Sequence, residues 1–255
     1  MARNVIKVLQ EKDHTVHALI KGTSTATMNA IRRTVMSEVA ALAIEELSLY
    51  ENNGVLFDEF LGHRIGMVPI TTDPTSYKLG DKVKISLDVA GPGTVYSRDI
   101  KIADKGIEVV DGNIPITKLK ADQKVRLEGE AVMGQGRDHV KFQPAVIGYH
   151  MLPMFTINET IPVPMMEKIA ASCPVNIIEI RGKKLNITEA ANCTQCGNCE
   201  ETGGAQNIQV DTDDTGFILM MESHGGMTNK QILHEACNVL LSKTKRFTEQ
   251  IKEGL

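Results

Sequence analysis

The 255-residue chain carries 28 Lys and Arg against 32 Asp and Glu, a formal net charge of −4, with 42% apolar residues. That balance is ordinary for a globular protein of two or three units and gives no overall electrostatic pull toward nucleic acid. Aromatics at 4% with no Trp argue against a base-stacking surface, and no apolar run is long enough to predict a membrane-crossing helix.

Residues 5–9 and 14–20 predict two strands. The Thr/Ser-rich stretch at 22–27 offers N-caps for a helix whose apolar residues Met28, Ile31, Val35, Val39 and Leu42 recur in steps of three and four. Arg32 and Arg33 lie off that face, and by pattern alone they read as a solvated helix side. From about Glu46, alternating runs such as 83–89 and 125–132 are punctuated by Asn52-Asn53-Gly54, Gly91-Pro92-Gly93 and Asp111-Gly112. They predict a β-rich insert. Pro153, Pro162 and Pro164 then mark a linker into a cysteine-bearing segment.

In that segment Cys193, Cys196 and Cys199 are spaced C-x2-C-x2-C, and Cys173 upstream is followed by Pro174. Three thiolates on one loop plus a distant Cys-Pro is the ligand spacing of a ferredoxin-type iron–sulfur site. Counting the same way, a second site would need Val163, Met166, Ile169 and Gly203, none of which can ligate iron. One cluster is therefore expected on Cys173, Cys193, Cys196 and Cys199, four-iron rather than three-iron. Tetrahedral zinc on the same thiolates is the alternative. Short loops disfavour disulfides, and the charged start MARNVIKVLQ predicts a reducing cytoplasm. Between Cys173 and Cys193 the pattern predicts a strand, a Gly-containing turn and a second strand.

Residues 208–210 and 217–221 predict two further strands, followed by a long terminal helix capped by Thr228 with Gln231 three residues on. Leu233, Cys237, Leu240, Thr244, Phe247 and Ile251 follow steps of four and three, a seam suited to another helix. Cys237 on that stripe reads as a small core residue. No catalytic set emerges. The stretch 134–139 lacks the third glycine and following helix of a phosphate loop, and the histidines show no metal spacing. Neighbours Glu222, Ser223 and His224 on one strand point to opposite faces, so they form no triad by themselves.

Four stretches resemble one family. Asn29–Arg33 (NAIRR) and Leu61–Ile70 (LGHRIGMVPI) resemble the two signatures of the RNA polymerase alpha-like subunits. The runs Gly134–Pro144 and Phe217–Gly225 are similar to further elements of that family in the same order. No bacterial-type linker and DNA-binding domain follow the last helix, and no cysteine precedes Cys173, unlike the eukaryotic third-largest subunit. A ferredoxin-like insertion before the final strand and helix resembles the archaeal D-type branch of the family.

The resemblance implies an α+β fold with a split dimerisation domain (1–45 and 206–255), a β-rich insert domain (46–160) and a ferredoxin-like α+β module (161–205). It implies a non-catalytic assembly scaffold that heterodimerises with the small subunit L through Leu233, Leu240, Phe247 and Ile251. Arg32, Arg33, His63 and Arg64 would then face the large catalytic subunits. Other small subunits would be further partners, with no sequence-specific DNA contact and no membrane. Two rival readings are an iron–sulfur electron carrier and a zinc-stabilised interaction module.

Overall fold

Two strands open the chain in the computed structural model, which describes residues 5–254. They are β1 (Val5–Lys12) and β2 (Thr15–Lys21), joined at Asp13, whose φ of 53° suits a tight turn. Helix α1 (Thr25–Ser37) begins at Ser24, whose hydroxyl accepts the Thr27 N–H at 3.3 Å. It ends sooner than its apolar spacing predicts. Val39 N–H turns back to Thr34 O at 3.0 Å, and Arg137 N–H donates to Ser37 O at 3.1 Å. Leu42 therefore lies in β3 (Ala40–Asn52) and Val39 in the turn before it.

Helix α2 (Asp58–Gly66) follows, then β4 (Lys82–Ala90), β5 (Gly93–Tyr96), β6 (Lys101–Ile102), β7 (Pro115–Leu119), β8 (Lys124–Gln135) and β9 (Ala145–Ile157). Pro153 sits inside β9 rather than in a linker. β9 is a sheet edge, where a missing N–H need not break a ladder. Pro162 and Pro164 instead open α3 (Val163–Ser172), where proline costs nothing. Then come β10 (Ile178–Arg181), β11 (Lys184–Ile187), α4 (Asn198–Gly203), β12 (Ile208–Ser223) and α5 (Asn229–Gly254). The two strands expected at 208–210 and 217–221 are thus one. The fold is α+β and strand-rich, with five α-helices among the described residues. None of them is long and apolar enough to cross a membrane.

The chain sorts into two compact units. One takes most of β1 and β2 and residues 148–220, including the sheet ordered β1-β2-β12-β9. Within it α3, α4 and the β10–β11 hairpin pack around Met166, Ile169, Ile178, Leu185 and Ile208. The expected strand–turn–strand is present, with Ile178 opposite Ile187 and Gly182 at φ 67° in the turn. Met166 and Ile169, the positions without ligands, are buried in this core.

The other unit holds residues 29–147 and the C-terminal segment from 221. Its sheet runs β3-β8-β4-β6, and β4 alternates as predicted, burying Val83, Ile85 and Leu87. β3 bulges between Ile44 and Glu46 as it pairs with β8. Gly129 faces that region, where a Cβ would lie 2.3 Å from Glu46 O, so only glycine fits. Leu61 and Ile65 of α2 complete this core beside Ile44, Leu87 and Leu127.

Candidate interaction surfaces and the cysteine module

The four clustered cysteines converge as their spacing predicts. Cys173 caps the end of α3, Cys193 follows a single helical turn at 190–192, and Cys199 lies in α4. Gln195 at φ 55° and Gly197 at φ 80° fold the intervening residues into a tight loop, and Gln195 N–H reaches Cys193 Sγ at 3.4 Å. All four line one cavity.

The residues do not fit the expected cluster. The cavity measures about 20 Å³, room for roughly one water molecule. Burial pushes the Cys193 and Cys199 thiols up. The backbone N–H groups of Gln195, at Cys193, and of Glu200, at Cys199, offset part of that effect, while neighbouring thiols add to it. Among the described residues no group of three or more His, Cys, Asp or Glu is placed to hold a metal ion. The iron–sulfur cluster expected from the spacing, and the zinc alternative on the same thiols, are corrected accordingly. Cys173 and Cys199 join the apolar core instead, each 8% exposed.

The arginine pair on α1 divides. Arg32 turns along its own helix, donating from Nε and Nη2 to Asn29 Oδ1 at 3.3 and 3.0 Å, while Arg33 is exposed. His63 and Arg64 sit on α2. Acidic Asp58 and Glu59 in its first turn favour that helix, and Leu61 N–H closes it onto Phe57 O at 3.0 Å. His63 is exposed. Arg64 donates from Nε to Ile116 O at 2.8 Å and from Nη2 to Pro115 O, tying α2 to β7.

The capping box of α5 forms as the sequence predicts. Thr228 N–H donates to Gln231 Oε1 at 2.9 Å, and Gln231 N–H returns to Thr228 Oγ1 at 3.3 Å. Ile232 and Ala236 carry the packing of this helix. Leu233 and Leu240 are half-buried, whereas residues 241–254 are all exposed. Phe247 is 63% exposed and Ile251 42%. Cys237 is also exposed, not a core residue, because the packed face runs through Ile232 and Ala236 instead. Ser223 is structural: its hydroxyl donates to Met227 O at 2.5 Å and accepts from Gly225 N–H at 3.0 Å, closing the turn before α5.

Sequence reasoning missed the outer side of α2, where Phe57 and Phe60 are exposed. The acidic pair before the run FLGHRIG was the available signal.

Comparison with known proteins gives consistent matches. Residues 49–154 match the RNA polymerase Rpb3/RpoA insert domain. A protein of Methanosarcina acetivorans, named DNA-directed RNA polymerase subunit Rpo3, is 36% identical over 95% of this chain and 96% of its own length. The Rpo3 of Pyrococcus furiosus is 30% identical over 99% of both chains. That of Halobacterium salinarum is 32% identical over 97% of both. These names mention no cofactor.

Proposed function

The chain belongs to the Rpo3 family of DNA-directed RNA polymerase subunits, and from that premise we propose that it is a non-catalytic scaffold for polymerase assembly. The family name corrects the narrower placement in the D-type branch, since each relative named above is an Rpo3. In this reading the chain pairs with the small alpha-like subunit L through α5. Arg32, Arg33, His63 and Arg64 turn toward the large catalytic subunits. Residues 1–45 and 206–255 form the dimerisation domain, 46–160 the insert domain and 161–205 a small accessory module. The free cysteines suit the reducing cytoplasm.

One observation carries the proposal: the exposed stretch of α5 beyond Leu240 keeps its apolar seam. Phe247 at 63% and Ile251 at 42% exposure stand four residues apart in that seam, on a stretch of helix whose residues are all exposed. An apolar stripe left in water marks an interaction site, and a seam of this period fits a second helix. Arg is favoured at such interfaces. Co-expression with subunit L tests the idea. The wild-type chain gives a 1:1 complex, and L240D/F247D abolishes it. Full retention of the complex by that variant removes α5 from the interface.

A further inference from the structure

Strand β1 is exposed along its whole length. All eight of its residues are open to water, among them Val5 at 49%, Ile6 at 72%, Val8 at 52% and Leu9 at 41% exposure. Successive side chains on a strand point to opposite faces, so Val5 and Leu9 stand uncovered on one face and Ile6 and Val8 on the other. The adjacent β2 instead alternates and buries Val16 and Ala18. β1 also ends the sheet: in the order β1-β2-β12-β9 its outer backbone groups face no other strand among the described residues. An open edge of this kind is a template for a further strand. Charged side chains ordinarily blunt such edges, and taken singly Lys7, Glu11 and Lys12 read that way.

We propose that β1 pairs antiparallel with β1 of a second copy of this chain, with Leu9 on the two-fold axis. The charges select both that occupant and that register. In a symmetric antiparallel pair, side chains directly opposite share a face, so the axis passes through a residue. With Leu9 there, Lys7 lies opposite Glu11 of the second copy and Glu11 opposite its Lys7. Two ion pairs then flank the point where Leu9 meets its own copy. On the other face Val8 lies diagonal to its copy, within reach across the strands. An axis through Lys7 or Glu11 sets like charges opposite each other. An axis through Ile6, Val8 or Gln10 leaves the charges opposite apolar side chains. The pattern is complementary to itself, which is what a two-fold contact requires. Pairing also closes the open row of backbone donors and acceptors. The proposal goes beyond the assembly role and uses no residue of the α5 seam.

The test is sedimentation velocity of the full chain over a range of concentrations at low salt, comparing wild type with Lys7→Glu, Glu11→Lys and the charge swap K7E/E11K. The wild type is expected to dimerise reversibly. Each single reversal sets like charges opposite each other at two places and is expected to raise the dimer dissociation constant by on the order of tenfold. The swap restores both pairs and with them the wild-type constant. Any association through α5 is common to all four proteins, so only pairing at β1 produces this pattern. A monomeric wild type, a dimer that neither single reversal weakens, or a swap as weak as the single variants overturns the proposal. Amide hydrogen exchange of the wild type checks it without any variant. Residues 5–12 are expected to exchange more slowly as concentration rises, and exchange that ignores concentration overturns the proposal.

Discussion

Gly136 lies against the carbonyl of Met36 so closely that a Cβ there would sit 2.1 Å from the oxygen. This approach lets the loop after β8 close the end of α1, with Arg137 N–H on Ser37 O at 3.1 Å. Gly136→Ala is therefore expected to destabilise the chain by about 1–3 kcal/mol through overpacking. The denaturation midpoint should fall with no change in slope; an unmoved midpoint would show that the loop yields freely.

In the cysteine module the tight pair is Gly203 and Ile169. A Cβ on Gly203 would meet Ile169 Cδ1 at 2.7 Å. Gly203→Ala should cost stability of the same order, about 1–3 kcal/mol. Ile169→Val removes the clashing methyl, so the double variant should recover part of the loss. A double-mutant cycle measures this, and additive effects would contradict direct contact.

A pH-dependent contact links Tyr77 and Asp104. The tyrosine hydroxyl donates to the carboxylate, which pushes the phenol up to about 12. The same bond, helped by Gly106 N–H, holds the Asp104 carboxyl below its usual range. With a raised phenol, the stabilisation is complete below roughly pH 10, the unfolded value, and is lost as pH rises through about 12. With a depressed carboxyl, it is present above the unfolded carboxyl value and lost as pH falls through the folded one. An absorbance titration of the folded chain should show one phenol ionising near 12. Tyr77→Phe should delete that step, and Asp104→Asn should bring it down toward roughly 10.

The start of α5 rests on Thr228 and Gln231 capping each other. Thr228→Ala is expected to cost about 1 kcal/mol, visible as a lower thermal midpoint and weaker helical circular dichroism. No change in either would mean that packing at Ile232 and Ala236 alone sets the helix start.

What could be read from the sequence follows from where local signals dominate. The alternation of residues 83–89, the turn glycine at 182 and the Thr228 box are written in adjacent residues and appear as expected. Met28 to Val35 set the first helix, but the same spacing carried on to Leu42. It failed there because pairing of β3 with β8 and the contact of Gly136 with Met36 come from residues far apart in the chain. Pro153 misled for a similar reason: only the sheet order reveals it as an edge position. For the cysteines, spacing gave convergence but not the chemistry. Burial of Cys173 and Cys199 and the small cavity between the thiols depend on how α3 and α4 pack.

Amide hydrogen exchange across residues 241–254, with and without the small alpha-like partner, tests the scaffold account most directly. These residues are exposed in the free chain, yet Phe247 and Ile251 continue the apolar seam. The account predicts strong slowing of exchange in this segment on complex formation. Equal exchange in the free and bound states, with the complex intact, would contradict it.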